Sequence, residues 1–251
     1  MSETTQTASE AVKQYLLRNG FAAFRPKAVL FDMDGVLFDS MPGHASSWAQ
    51  VCTEFGLAMD KEEAYMHEGR TGAATINILA RRHWGRGATE EEVQRIYAEK
   101  CRLFNALPEA PKMDGADDLL RQVRAAGLTI AVVTGSGQKS LLDRLQNNYP
   151  GVFDPSLVVS SKDVRHGKPS PEPYLAGLAR VGAEPWEAIV VENAPLGVQA
   201  ASAARVFTVA VNTGPLPPST LTDAGADLLF PSMRAFSEAW TGLGLCGGAG
   251  Q

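Results

Sequence analysis

The sequence has little of what marks a secreted or membrane-spanning protein. Its three cysteines, Cys52, Cys101 and Cys246, are widely separated and show no metal-ligand spacing. They are expected to be reduced thiols, which excludes a disulfide framework. No apolar run reaches about 18 residues, the length that suggests a membrane-spanning helix. Residues 1–20 lack the basic region and apolar core of a signal peptide, so we expect a cytoplasmic protein with no membrane partner.

An excess of positive charge is also missing. The chain has 23 Lys and Arg residues against 28 Asp and Glu residues, which gives a formal net charge of -5. A broad basic face for nucleic acid is therefore not expected, although a local cationic pocket is compatible with these counts. Hydrophobic residues make up 45% of the 251 residues, which is enough for a full core in one domain or in a domain with a smaller insert.

What the sequence does contain is a series of short apolar runs rich in Val, Ile and Leu. They mostly do not alternate with polar residues, which is typical of strands buried on both faces of a sheet. Helical patterns lie between them, over Gly115–Ala126 and from Ser170 to Arg180. This order predicts an α/β fold with a parallel sheet covered by helices on both faces. The predicted strands are 28–31, 129–133, 157–159, 188–191, 207–211 and, as a weaker run, 226–230.

One stretch, residues 41–111, interrupts the alternation with helical patterns and no convincing strand. Asp60 is a candidate helix N-cap, and Thr89 with Glu92 has the spacing of a capping box. We therefore expect a helical insert between the first two strands. The other predicted segments are an N-terminal helical extension over 1–27, the sheet core over 28–40 and 112–240, and a Gly-rich flexible tail over 241–251.

Polar residues follow four of the predicted strands, at the sheet edge where open parallel sheets bind ligands. Each residue alone is better explained as a cap, a turn residue or a surface residue. Their joint occurrence at strand ends indicates one site. In strand order they are Asp32 and Asp34; Thr134, Gly135 and Ser136; Lys168; and Glu192 and Asn193.

These residue types suit phosphoryl transfer. The candidate ligands for Mg²⁺, which prefers hard oxygen donors, are Asp32, Asp34, Glu192 and Asn193. Lys168 adds positive charge, and Thr134 with the N–H groups of Gly135 and Ser136 forms a donor nest for phosphate. A carboxylate nucleophile that attacks phosphorus gives an aspartyl phosphate. A second carboxylate can protonate the leaving oxygen and later activate water.

Four segments, taken together and in this order, resemble the haloacid dehalogenase superfamily, in the branch of beta-phosphoglucomutase and related sugar-phosphate phosphatases. They are residues 31–36, 133–136, 167–174 and 191–197. The resemblance implies a Rossmann-like core, a helical cap at 41–111 and Mg²⁺ as the cofactor. It also implies Asp32 as nucleophile and metal ligand, and Asp34 as general acid/base and as a ligand through its backbone carbonyl.

Two residues of the insert are further candidates. His44 and Trp48 have spacings similar to those in beta-phosphoglucomutase, and His44 either lines the cleft or is an ordinary hinge histidine. Arg70 lies in a Gly-rich turn and either contacts the distal part of the substrate or is a surface arginine. Asn193 stands where the family often has Asp, which leaves open whether Glu192 or Asn193 binds the metal.

The leading functional prediction is hydrolysis of a small phosphate monoester, a sugar or polyol phosphate, so the expected partner is a small phosphorylated metabolite. The main alternative is a phosphomutase of the beta-phosphoglucomutase type, although the cap arginine that holds its second phosphate has no match here. A non-catalytic binding protein is a further alternative, against which the intact set Asp32, Asp34, Thr134 and Lys168 argues. A metal-free carbon–halogen hydrolase is another, and it leaves Asp34, Glu192 and Asn193 without a purpose. The particular ester and the oligomeric state stay open.

Overall fold

A six-stranded parallel sheet forms the centre of the protein. The computed structural model describes residues 3–137 and 141–245, and the strand order is β3-β2-β1-β4-β5-β6. The predicted α/β fold is confirmed, and each observed strand lies within its predicted run or one residue beyond it. The strands are β1 (Ala28–Phe31), β2 (Thr129–Val133), β3 (Val158–Val159), β4 (Ala188–Glu192), β5 (Phe207–Val211) and β6 (Leu228–Phe230).

Helices cover both faces of the sheet. Alternate residues of β1 supply the two faces: Val29 and Phe31 belong to one buried cluster, and Ala28 and Leu30 belong to another. Burial on both sides explains why the strand sequences do not alternate. The helices are α1 (Glu3–Asn19), α2 (Met41–Glu54), α3 (Lys61–Met66), α4 (Gly72–Trp84), α5 (Glu90–Asn105), α6 (Ala116–Ala125), α7 (Leu141–Asn148), α8 (Glu172–Val181), α9 (Pro195–Ala203), α10 (Pro218–Asp223) and α11 (Met233–Ala239).

The N-terminal helix α1 is docked on the sheet. Tyr15 is fully buried, and its hydroxyl donates to the backbone carbonyls of Pro185 and Arg205 at 3.1 and 2.9 Å. Arg18 also forms an ion pair of 2.8 Å with Asp227. These contacts give α1 a packing role in the core.

Helices α2 to α5 have a hydrophobic core of their own, which includes Val51, Ile76 and Leu79. We propose that they form the cap as one structural unit. Both expected caps are observed: the Asp60 side chain accepts the N–H of Glu63, and residues 89 and 92 form a capping box. These reciprocal bonds satisfy N–H groups that the first helical turn leaves without partners.

The insert leaves and re-enters the sheet domain through two adjacent segments. The N–H of Asp39 donates to the Pro111 carbonyl at 3.0 Å, and the N–H of Met113 donates to the Leu37 carbonyl at 2.9 Å. The two crossings therefore lie side by side and close to Asp34, because Gly35 bonds to the Phe38 carbonyl.

The C-terminal segment differs from the prediction of a flexible tail from residue 241. Trp240–Leu243 forms a 3-10 helix, and Leu243 and Leu245 are buried in the core cluster beside α1. Burial of these two leucines holds residues 243–245 against the core although the surrounding sequence is Gly-rich. Residues 246–251, with Cys246, lie outside the described residues. Among the described helices, none combines the length and the apolar character needed to cross a membrane.

Candidate active site

The carboxyl edge of the sheet and the insert enclose a narrow cleft. Its volume is about 70 Å³, which is space for only a few water-sized groups. The cleft brings together residues from the first two strand ends and from the insert. The sequence-predicted residues that line it are Asp32, Asp34, His44, Arg70, Thr134, Gly135 and Ser136.

Lys168 lies beside this cleft and joins three strand ends. Its ammonium donates to Asp32 Oδ1 at 2.5 Å, to Glu192 Oε1 at 2.6 Å and to the Val133 carbonyl at 3.2 Å. Lys168, Asp32 and Glu192 are all buried. The ammonium thereby uses each of its three donors and holds the Asp32 carboxylate in place at the end of β1.

Glu192 is held entirely by protein donors. Besides Lys168, the hydroxyl of Tyr174 donates to Oε1 at 2.7 Å, and the N–H groups of Asn193 and Ala194 donate to Oε2. A side chain on Gly197 would overlap this carboxylate. The predicted metal-ligand role of Glu192 has no support in this geometry, because both of its oxygens are already engaged.

Asn193 has a different environment. Its Nδ2 donates to Oε1 of Glu68 at 2.9 Å, while its buried Oδ1 has no partner among the described residues. A Cβ atom on Gly35 would lie 2.0 Å from Nδ2, so the backbone there packs directly on the amide. An amide oxygen without a protein partner, taken with the Asp32 carboxylate and the Asp34 backbone carbonyl, is a set of hard-oxygen donors that fits Mg²⁺.

Buried negative charge in the cleft also favours the binding of Mg²⁺. Burial raises the pKa of Asp32 to about 8, with Glu192 and Asp34 adding to the effect and Lys168 opposing it. Burial and the charge of Asp32 also raise the pKa of Glu68 well above its ordinary value. Three buried carboxyl groups, Asp32, Glu68 and Glu192, and the half-buried Asp34 lie close together, and Lys168 pairs with only two of them, which favours a bound cation.

Asp34 is held as a carboxylate on the hinge side. Ser40 Oγ donates to Asp34 Oδ1 at 2.5 Å, His44 Nε2 lies 3.3 Å away and Arg144 Nη1 lies 4.0 Å away. Burial opposes ionisation of Asp34, but His44, Ser40 and Arg144 together hold its pKa below the usual range. In this arrangement Asp34 is ionised, the form that a general base needs.

His44 links Asp34 to a buried lysine. Lys100 Nζ lies 2.6 Å from His44 Nδ1, and a protonated lysine can only donate. His44 Nδ1 must then accept, which places the ring proton on Nε2, facing Asp34. Burial and the charge of Lys100 lower the pKa of His44, in agreement with a neutral ring. His44 also stacks on Phe104, with ring centroids 3.9 Å apart.

The segment after β2 has a local hydrogen bond. The N–H of Ser136 donates to Thr134 Oγ1 at 3.0 Å, so one donor of the predicted phosphate nest is engaged within its own turn. Gly135 touches the insert, because a Cβ atom there would lie 2.7 Å from the Gly69 carbonyl oxygen. Arg70, which follows Gly69, is half-buried and lines the cleft rather than the outer surface.

Several residues of the site carried no signal in the sequence. Ser40, Lys100 and Arg144 surround Asp34 and His44, and Glu68 faces Asn193. None of these four residues belongs to a motif that directly follows a predicted strand. In the turn from Glu68 to Gly72, the sequence pointed to Arg70 but not to Glu68.

Comparisons with known proteins identify relatives of this chain. The family model described as haloacid dehalogenase-like hydrolase matches residues 29–211. Hexitol phosphatase A of Escherichia coli is 33% identical over 195 residues, 75% of this chain and 84% of that protein. A phosphorylated carbohydrates phosphatase of Thermotoga maritima is 30% identical over 207 residues, 80% of this chain and 92% of that protein.

A solved structure is more similar still. A Bacteroides vulgatus protein, provisionally named beta-phosphoglucomutase, shares 54% sequence identity with this chain. The match covers 95% of this chain and 97% of that one, with a TM-score of 0.93. The similarity therefore includes both the sheet domain and the insert.

Proposed function

This chain belongs to the haloacid dehalogenase-like hydrolase family, and on that basis we propose that it hydrolyses a small sugar or polyol phosphate through an aspartyl phosphate on Asp32. The observation that carries the proposal is the buried Asp32 carboxylate, held by Lys168 at the wall of the cleft. The substrate class is supported by relatives named for hexitol phosphates and phosphorylated carbohydrates.

In the first half of the reaction, an Asp32 oxygen attacks phosphorus and the bond from phosphorus to the ester oxygen breaks. A proton from Asp34 goes to that leaving oxygen. In the second half, water attacks phosphorus and gives its proton to Asp34. The bond from phosphorus to Asp32 then breaks, which releases phosphate and restores the Asp32 carboxylate.

Mg²⁺ would be held by the side chains of Asp32 and Asn193 and by the Asp34 carbonyl, and it supplies positive charge beside the phosphoryl oxygens. Glu192, whose oxygens all have protein donors, acts instead by holding Lys168 and the turn after β4. Lys168 in turn holds Asp32 for attack. This assignment favours Asn193 over Glu192 as the metal ligand.

The contacts of Asp34 match the second half of the reaction better than the first. As a carboxylate it can accept the proton of water, but it must carry a proton to assist the leaving group. Ser40 and His44 both stabilise the ionised form. We propose that substrate binding displaces these contacts, so that Asp34 takes up a proton before the ester bond breaks.

The test is phosphate release from a panel of hexitol, hexose and triose phosphates with Mg²⁺ present. Wild-type protein should release phosphate from polyol or sugar phosphates, and Asp32→Asn should lose at least about a thousandfold in kcat, because an amide is too weak a nucleophile. Circular dichroism confirms that the variant is folded. Substantial turnover by folded Asp32→Asn would exclude the aspartyl phosphate.

A second candidate is a phosphomutase, favoured by the 54% identity to the Bacteroides vulgatus protein. In that case a sugar hydroxyl rather than water takes the phosphoryl group from Asp32. Incubating beta-glucose 1-phosphate with the enzyme and a trace of the bisphosphate separates the two. Glucose 6-phosphate without free phosphate would support the mutase, whereas stoichiometric free phosphate supports the phosphatase.

A further inference from the structure

We propose that Glu68, a residue of the insert, is a positioning residue that orients the Asn193 amide so that its oxygen faces the metal site. The metal site is then complete only while the insert is closed on the sheet domain. This inference rests on the Mg²⁺ dependence of the proposed function and identifies a structural element that regulates it.

The first step of the argument is the chemistry of an amide ligand. A carboxylate presents oxygen whichever way it rotates, but an amide presents either oxygen or NH₂, and only the oxygen can bind Mg²⁺. Asn193 therefore needs a neighbour that selects one orientation. Oε1 of Glu68 accepts from Nδ2 at 2.9 Å, which leaves Oδ1 facing away from Glu68 without a protein partner.

The second step is confinement of the pair. Glu68 is 8% exposed and Asn193 is 6% exposed. The backbone of Gly35 packs against the same amide, since a Cβ atom there would lie 2.0 Å from Nδ2 and 3.1 Å from Oδ1. In this confined space, the hydrogen bond to Glu68 selects the orientation in which Oδ1 has no partner among the described residues.

The third step is that the bond joins two separate parts of the chain. Glu68 follows helix α3 of the insert, whereas Asn193 follows strand β4. Opening the cleft would break the bond and release the amide. By reciprocity, whatever stabilises the closed insert raises metal affinity, and metal binding favours closure by the same free energy.

The pair also explains why this chain has Asn rather than Asp at position 193. An aspartate would need no orientation, but it would place a second carboxylate at hydrogen-bonding distance from Glu68. Two carboxyl groups at that distance do not both ionise readily, so one would keep its proton or the pair would move apart. Glu68 and Asn193 are therefore a matched pair, and changing either residue alone should weaken the site.

The experiment measures Mn²⁺ binding to the full chain by electron paramagnetic resonance, with Mn²⁺ as a probe for the hard-oxygen site. Glu68→Ala should weaken Mn²⁺ affinity about 10- to 100-fold, the usual effect of removing a residue that orients a ligand. Glu68→Gln is the matched control, because its oxygen can still accept from Nδ2, and it should lose less. Asn193→Asp alone should not gain affinity.

The decisive variant is Glu68→Ala combined with Asn193→Asp, which should recover wild-type affinity to within a few-fold because a carboxylate needs no orientation. Unchanged Mn²⁺ affinity in Glu68→Ala overturns the inference and leaves the proposed function intact. If Glu68→Ala weakens Mn²⁺ affinity and adding Asn193→Asp does not restore that affinity, the orienting role of Glu68 is overturned. If wild-type protein binds no Mn²⁺, the metal site itself is wrong. If Glu68→Ala does not fold, Glu68→Met, which keeps the side-chain length and has no oxygen acceptor, gives the same comparison alone and with Asn193→Asp.

Discussion

Single side chains set the charge balance of the cleft. Lys168 contacts two carboxylates at once, and neighbouring Asp34 and Glu68 add further acidic groups that are buried or close to it. A buried charge that loses its partner costs several kcal/mol, so each of these groups depends on the others. The same balance makes a divalent cation favourable in the site. Burial is the main cause of the raised pKa of Asp32, and the charges of Glu192 and Asp34 add to it.

Lys100 gives a prediction about pH at this scale. Burial lowers its pKa to about 8 from the ordinary 10.5, so between these values the unfolded chain binds the proton more tightly than the folded protein. The free energy of unfolding therefore rises with pH in that window, by about 3 kcal/mol. Lys100→Met lacks this contribution, so the stability difference between wild type and variant should shift by that amount.

Urea unfolding of wild-type protein and Lys100→Met at pH 7 and pH 10 measures the shift. Comparing the two proteins at each pH cancels other titrating groups. Wild-type stability relative to the variant should rise at pH 10, where Lys100 is neutral in the folded protein. A difference that does not change with pH would mean that burial does not lower the pKa of Lys100.

Individual site residues were predictable from the sequence only where a strand end positioned them. Asp32 and Lys168 meet as expected, since parallel strands converge at one edge of the sheet. Lys100 and Glu68 reach the site through the packing of the insert, and no spacing in the sequence encodes that packing. The contact between Glu68 and Asn193 is one result of this packing, and the sequence alone does not reveal it.

At the scale of elements, the strands were predictable because burial on both faces requires unbroken apolar runs. The edge strands β3 and β6 are shorter than their runs, because Leu157 belongs to a 3-10 helix and residues 226–227 precede the paired segment. The insert helices were predictable where a cap residue marked the start, as at Asp60 and Thr89. Their placement over the sheet depends on contacts far apart in the chain.

The contact between two turns gives a prediction at this scale. Gly135 follows β2 and lies against the carbonyl oxygen of Gly69 in the insert, so a methyl group at position 135 keeps the two turns apart. Gly135→Ala should lower kcat/KM by at least tenfold by preventing closure, with little loss of thermal stability. The backbone of Gly135 does not lie in the left-handed region, so backbone strain from the new side chain would not account for a loss of activity.

Gly242→Ala is the control for this variant, since a Cβ atom at position 242 has no neighbour within 4 Å. Both melting temperature and kcat/KM are measured for the two variants. Equal activity of Gly135→Ala and Gly242→Ala would show that the two turns do not need to meet during catalysis.

At the scale of the whole molecule, we expect the cleft between insert and sheet domain to control which substrates react. The cleft is narrow in this structure, so we expect the insert to open for substrate binding and product release. Closure would then exclude water and bring residues of the insert onto the substrate. On this proposal, residues of both the insert and the sheet domain select the substrate.

A substitution of Arg70 tests whether the insert selects the substrate. It lies in the insert, lines the cleft, and its Nε is buried without a partner among the described residues. Arg70→Ala should lower kcat/KM for a hexitol phosphate by at least tenfold while changing the reaction with acetyl phosphate less than threefold, because acetyl phosphate has no distal part to hold. Both rates are measured as free phosphate. Equal losses for the two substrates would contradict a role in specificity.

The position of the two crossings between insert and sheet domain has a consequence for how the protein can evolve. Because Asp39 and Pro111 are joined by a backbone hydrogen bond, the insert begins and ends at nearly the same point. A segment with adjacent ends can be lengthened, shortened or exchanged without altering the register of β1 against β2 and β4. Related proteins can therefore evolve new substrate ranges by replacing the insert, while Asp32 in the sheet domain stays in place.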